Sequence, residues 1–512
     1  MRIEAGAGAP ALPTIEPMNH PRLVLALVIS GGAALAACGG GSGGVDLCAS
    51  ATPPPECMIA CDPSGVPATC PSGFHCSPDG TCQAFCTQGG SECADSERCS
   101  PDGRCIPEDQ CVGLECMQVS CSNGGTTSLS GIVYAPNGTL PLYNVNVYVP
   151  NAAVGPLPTG ASCDRCNTPL SGAPLVQTTT GTDGRFTLTN VPATSNVPLV
   201  LQVGKWRRQV TIPTVAQCVD TPLDAGSTRL PRNQSEGDIP QMALTTGGAD
   251  ALECLLRKVG LDDAEFTTAG GTGRVHLYAG SGGTPDFDAG GAFADAQTLW
   301  SDTATLSAYD VAFLSCEGAQ NPGTKGPAAL AAMKAYADLG GRVFASHWHN
   351  YWILDNAAPW DGVMTFNDQP DLNSIEADIN QTFARGGDLA QWLLNVGASN
   401  TLGKIDIDAA QHTVTGVDES LADRWIYKDQ TANGSPSVQY LSYTTPLEAA
   451  PAQRCGRVVF SDIHVSSGDD SGGNLSFPSG GCTSPRDQLS PQEKVLAFMI
   501  FDIASCISEG ID

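Results

Sequence analysis

Positive charge is scarce in this 512-residue chain: 25 Lys and Arg stand against 53 Asp and Glu, for a formal charge of −28. That balance argues against nucleic acid as a partner, because phosphate counterions are displaced by a cationic surface. Charged residues of both signs reach 15% and aromatics 6%, while 58 Gly and 37 Pro favour short strands and abundant loops. Apolar runs long enough to matter for a membrane are missing beyond residue 37. Cysteine is the residue in excess. Twenty-two of them argue against a reducing cytosol. The length suggests about three domains of roughly 100–200 residues each, and a hydrophobic share of 41% is enough for folded cores.

The beginning of the chain reads as an export signal, spanning 1–37 with its effective start at Met18. His20 and Arg22 form a short n-region and Leu23 to Ala34 an apolar h-region. An ordinary cleaved signal and a short membrane span are the other readings of this run, and a span needs about 20 apolar residues. The close, Leu35-Ala36-Ala37-Cys38-Gly39, resembles the lipobox of bacterial lipoproteins. That resemblance implies lipidation of Cys38 and anchoring to a membrane of the cell envelope, at the outer membrane or cell surface. Residues 38–47, with their Gly-Ser run, then form a flexible tether.

Thirteen cysteines fall between Cys48 and Cys121, among few large apolar side chains. Such a segment must be held by cross-links. Cys70, Cys76 and Cys82 recur 23 residues later as Cys93, Cys99 and Cys105, each copy with a Ser-Pro-Asp-Gly turn before its third cysteine. The absence of any Cys-x-x-Cys here speaks against zinc. The repeat resembles EGF-like disulfide modules, which implies a stapled stalk or docking spacer.

Residues 122–245 change to a period of two. Gly131 to Tyr134, the alternating Val145, Val147 and Val149, a Thr182-Asp183-Gly184 turn into Phe186 and Leu188, and the run Pro198 to Val203 predict an antiparallel β-sandwich. These motifs resemble the carboxypeptidase regulatory-like (transthyretin-like) domain, a binding module without catalytic residues. Cys163 and Cys166 lie in an insertion and are expected to form a local disulfide. Lys205-Trp206-Arg207-Arg208 is a basic, aromatic spot, either a strand end or a place to bind an anion or sugar.

Residues 246–512 alternate strand and helix. Helices are predicted over Asp250–Val259 and Pro327–Leu339, and the last helix opens with the capping box Ser490-Pro491-Gln492-Glu493. Apolar strands at Val275–Tyr278, Asp310–Leu314, Arg342–Ala345 and Arg457–Phe460 imply a parallel sheet covered on both faces. The order of an Asp-apolar strand, a helix, then a Gly-Gly strand into a sharp turn resembles the class I glutamine amidotransferase-like, flavodoxin-like α/β fold and its ThuA-like branch. The resemblance puts His347 where amidotransferases carry their nucleophile. It also matches Gly456-Arg457-Val458-Val459-Phe460 through His464 to the branch's late strand and histidine. The departures are chemical: no Cys at the elbow, no flanking glycines, and Ser466 where a Glu would follow His464. The Cys-His-Glu machinery for glutamine is missing.

Five of the seven histidines lie in this last part. Three predicted strand ends bring reactive groups toward one crevice: Ser315-Cys316-Glu317, Ser346-His347-Trp348-His349, and Ser461-Asp462-Ile463-His464. Cys316, Glu317, His347 and His464 are the candidate catalytic set, as nucleophile, acid and base. Ser346, Trp348, His349, Trp352 and Asp462 are candidate ligand-binding residues, with Tyr351 and Trp360 adding to an aromatic rim suited to sugar faces. No cofactor is predicted outright; the open alternative is a divalent metal on His347, His349 and His464 with Asp462 or Glu317. The expectation is thus a cell-surface lipoprotein that binds a carbohydrate or protein ligand through a catalytically degenerate domain. The alternative is an extracellular hydrolase or metal-dependent enzyme using Cys316, His347 and His464. Lipidation of Cys38 leaves an odd 21 cysteines. If Cys121 pairs with Cys218 near the sandwich, one of Cys254, Cys316, Cys455, Cys482 and Cys506 is left over.

Overall fold

The computed structural model describes residues 111–122, 124–465, 476–478, 482 and 488–507, together with the backbone of four short strands in the cysteine-rich segment. The export signal, Cys38 and its tether, and the cysteine pairings upstream of Cys111 lie outside the described residues. Phe74–Cys76 pairs with Cys82–Ala84 in register Cys76↔Cys82. Glu97–Cys99 pairs with Cys105–Pro107 in register Cys99↔Cys105. The 23-residue repeat is therefore a repeated pair of antiparallel strands. A Cys111–Cys116 bridge follows.

Seven strands then form two sheets. Trp206–Thr214, Ser195–Val203, Asn146–Pro150 and Pro174–Thr179 are antiparallel neighbours in one; Asp220–Pro222, Ser128–Ile132 and Arg185–Thr189 make the other. Val147, Leu199 and Leu201 from the first sheet and Leu129, Phe186 and Leu188 from the second share one core. Cys121–Cys218 closes this region, as its position suggested.

The remaining chain builds an eleven-stranded sheet. Phe266–Thr268, Val275–Ala279, Met242–Thr245, Val311–Leu314, Arg342–Ser346 and Gly456–Ser461 run parallel, side by side. Val311 and Phe313 point into one core, Ala312 and Leu314 into the other, which is why these strands are apolar without alternation. Helices Leu252–Lys258 and Pro491–Ala504 cover the first face, and Pro327–Asp338 the second. Ser490 and Glu493 form the capping box expected of the last helix.

One boundary and one sheet direction differ from expectation. Met242–Thr245, placed with the sandwich at 122–245, lies inside the large sheet between Val275–Ala279 and Val311–Leu314. The sheet is also mixed rather than parallel: Ser437–Thr445, Asp423–Lys428, Ser374–Ile379 and Lys404–Asp408 extend it antiparallel. Parallel pairing needs a long crossover, and the links 429–436 and 446–455 are too short for one. Lys-Ile-Asp-Ile-Asp at 404–408 alternates because only one of its faces is covered.

The sandwich and the large sheet are not separate bodies. Their apolar residues belong to one continuous core, with Tyr143 stacked on Phe498 at 6.0 Å and Trp206 on Phe501 at 5.6 Å. Gly204, at φ +52, lies so close to the terminal helix that a Cβ there would meet the Ala504 carbonyl oxygen at 1.7 Å. Lys205-Trp206-Arg207-Arg208 is therefore an internal seam rather than a surface spot. Lys205 pairs with Asp310, Trp206 is buried, and Arg207 pairs with Asp238.

The local Cys163–Cys166 bridge is corrected: Cys163 bonds Cys455 and Cys166 bonds Cys506. The insertion runs beside the C-terminal segment, Ile507 N–H donating to the Asp164 carbonyl and Cys166 N–H to the Ile507 carbonyl. Laid out this way, the two thiols face separate partners. A Cys254–Cys482 bridge completes the described set.

Candidate functional site

Three neighbouring parallel strands, Val311–Leu314, Arg342–Ser346 and Gly456–Ser461, end side by side. Cys316, His347 and His464 follow those ends and are all buried. Cys316 Sγ lies 3.5 Å from His347 Nδ1, and the His347 and His464 ring centroids are 5.1 Å apart. One donor atom from each of the three falls within 4.8 Å of the others, a group compatible with a divalent metal.

The backbone is shaped around this cluster. His347 adopts φ +44, a left-handed conformation that costs a side-chain-bearing residue about 1–3 kcal/mol. It marks a sharp turn from the strand into the short helical stretch His347–Asn350. Asp250, fully buried, ties two of the strand ends together: Ser346 Oγ donates to its Oδ2 at 2.7 Å and Val465 N–H to its Oδ1 at 2.9 Å. The residues just before His347 and just after His464 are thus fixed by one carboxylate. Gly247 lets the end of Met242–Thr245 pass against Cys316, since a Cβ there would sit 2.1 Å from the Cys316 carbonyl oxygen.

Burial sets the electrostatics. It pushes the Cys316 thiol up to about 12, against the N–H groups of Trp348 and Gly318 that point at the sulfur. It holds His347 well below the ordinary imidazole range, with His464 and His349 adding to the effect, and it lowers His464 as well. Both rings are neutral at physiological pH, and the Nε2 of each is buried without a hydrogen-bond partner.

The other sequence candidates divide. Glu317 faces away from the cluster into an ion pair with Lys325 at 2.5 Å, and it accepts from Ser281 N–H and Asn321 Nδ2. His349 is structural rather than a metal ligand. Its Nε2 meets the Ser315 carbonyl at 2.9 Å and its Nδ1 accepts from Trp352 Nε1 at 3.0 Å, so both nitrogens are used. Ser346 is taken up by Asp250. Asp462 accepts from the Thr413 N–H and hydroxyl, and burial raises it to about 7. Trp352 and Trp360 are core residues, not a rim; Trp352 packs on Trp300 at 5.1 Å and Trp360 on Tyr443 at 5.4 Å. Trp348 is half-buried, with its ring 4.8 Å from that of His347 and 6.4 Å from exposed Phe366. Tyr351 is also partly exposed.

Asp250, Gly247 and Phe366 were not singled out from the sequence. The available signal for the first two was Thr245-Thr246-Gly247-Gly248-Ala249-Asp250, a Gly-Gly stretch at a strand's C-terminal end, which is where crevices form in such sheets.

No family profile and no curated protein matches the chain. Solved structures that match parts of it include two complexes. One is a C-terminal interface mutant of a type II cohesin–X-dockerin complex from Acetivibrio cellulolyticus, at 15% identity and TM-score 0.14, over 28% of this chain and 75% of that one. The other is an N-terminal interface mutant of the same type of complex, at 13% identity and TM-score 0.15, over 27% and 85%.

Proposed function

We propose that this chain is an exported, lipid-anchored cell-envelope protein that binds a carbohydrate or protein ligand at the strand-end crevice and does not hydrolyse glutamine. The observation that carries the reading is the ledge formed by Trp348 and exposed Phe366 beside a fully buried thiol. Trp348 lies just past the end of the parallel strand Arg342–Ser346 and Phe366 stands beside it, so the ring pair offers a stacking surface near the strand ends. A nucleophile must be reached by its substrate, and Cys316 is both enclosed and held protonated by burial. The amidotransferase-like, ThuA-like reading of the large sheet draws support from its six parallel strands and from the left-handed His347 at the nucleophile position. The transthyretin-like reading of the sandwich draws support from its four- and three-stranded sheets.

Glycan-array and peptide-array binding by the intact chain tests the proposal. The expected result is a ligand whose affinity falls about tenfold or more in Trp348→Ala or Phe366→Ala. Binding unchanged in both variants, or amide or ester turnover lost in Cys316→Ser, would overturn it in favour of the hydrolase. The anchor is tested separately: Cys38→Ala should release the protein from membranes, and continued membrane association contradicts it.

A further inference from the structure

We propose that Cys316, His347 and His464 hold a zinc ion through one thiolate and two imidazoles, with a water completing the four-coordinate shell. The inference stands on the cluster's own geometry and does not depend on what the Trp348–Phe366 ledge binds.

Four observations converge on it. The first is placement. Adjacent strand ends bring the three donors within 4.8 Å of one another. The 3.5 Å between Cys316 Sγ and His347 Nδ1 already matches the edge of a tetrahedron with Zn–S of about 2.3 Å and Zn–N of about 2.0–2.1 Å. Closing the rest of the triangle takes a side-chain adjustment of about 1 Å.

The second is the state of the donors. His347 and His464 each carry a buried nitrogen that meets no donor or acceptor. Buried polar atoms normally have partners; a cation at His464 Nε2 would use its lone pair, while His347 offers Nδ1, the nitrogen that faces the sulfur. The sulfur has the opposite surplus, with the N–H groups of Gly318 and Trp348 both directed at it. A neutral S–H is a weak acceptor; paired N–H donors suit a thiolate, and a buried thiolate is stable beside a metal cation.

The third is chemical isolation. Among the residues whose side chains are described, Cys316 is the one free thiol and the other cysteines are bridged. Metal ligation explains how a thiol persists in a chain otherwise built for oxidation. The fourth is the surrounding frame: Asp250 accepts from the Ser346 hydroxyl and the Val465 N–H, and so fixes the backbone beside both histidines through their neighbours rather than through either ring. A donor set of two nitrogens and one sulfur excludes Mg²⁺ and Ca²⁺, which take oxygen ligands, and suits zinc with three protein ligands and a water in the fourth position.

The test uses the full exported chain purified without chelator. Metal analysis should find about one zinc per chain. After chelation, Co²⁺ added in its place should give a thiolate-to-cobalt charge-transfer band in the near ultraviolet together with visible bands of four-coordinate cobalt. Cys316→Ser should abolish the charge-transfer band. Asp250→Asn should keep the band and weaken metal binding. The wild-type measurements need no variant to fold. A wild-type chain that takes up neither Zn²⁺ nor Co²⁺, a cobalt complex without the thiolate band, an undiminished band in Cys316→Ser, or copper as the native metal would each overturn the assignment.

Discussion

Glu253 lies in the first turn of the helix Leu252–Lys258, buried, with neither side-chain oxygen meeting a partner on another residue. Burial pushes its carboxyl up to about 8, and nearby Asp250 adds to the rise. In the unfolded chain the same group titrates near ~4.3. Between those values the folded state keeps a proton that the unfolded state releases, so stability falls as pH climbs from about 4 to about 8. Asp462, raised to about 7 by burial, contributes with the same sign over the lower part of that window. Glu253→Gln removes the charge at every pH. It should leave unfolding free energy nearly unchanged at pH 5 and raise it by about 1–3 kcal/mol at pH 8, read from denaturant melts at the two pH values. An unaltered pH slope would show that the carboxyl is already satisfied. Single residues were only partly legible in the sequence. Cys316, His347 and His464 stood out because reactive side chains at strand ends are few. Asp250 and Glu253 did not, because an acid in the first turn of a helix looks like an ordinary exposed cap. His349 and Trp352 were misassigned because nothing in a sequence shows that each takes up the other's polar atom.

Strands and helices follow from pattern wherever both faces or one stripe are covered. Val311–Leu314, Arg342–Ser346 and Gly456–Ser461 were visible as unbroken apolar runs, and Pro491–Ala504 by its capping box. Met242–Thr245 was assigned to the wrong layer because four residues between long loops carry no mark of which sheet they will join. The antiparallel half of the large sheet was missed for a related reason: strand direction depends on link length and partner, not on composition. Elements meet most tightly where Gly204 touches the C-terminal end of the last helix. Gly204→Ala would place a methyl inside the Ala504 carbonyl and in a left-handed backbone. A destabilisation on the order of 3–5 kcal/mol is expected, seen as a clear drop in thermal midpoint. A midpoint equal to the wild type would mean that the seam between sandwich and helix is looser than described.

For the whole molecule, the cross-links decide what moves together. Cys163–Cys455 and Cys166–Cys506 span 292 and 340 residues and join the sandwich's insertion to the start of the central strand Gly456–Ser461 and to the end of the last helix. Non-reducing peptide mapping should recover these two pairs and no 163–166 loop. Cys163→Ser with Cys166→Ser should lower stability by about 2–5 kcal/mol per bridge and leave Cys455 and Cys506 open to alkylation. Recovery of the short loop instead would restore the local pairing read from the sequence. The same wiring has a consequence for damage. A protease that severs any loop between Cys166 and Cys455 produces two pieces that both bridges still hold, so a nicked chain keeps its assembled mass until reductant is added. Such a chain can be cut without being lost.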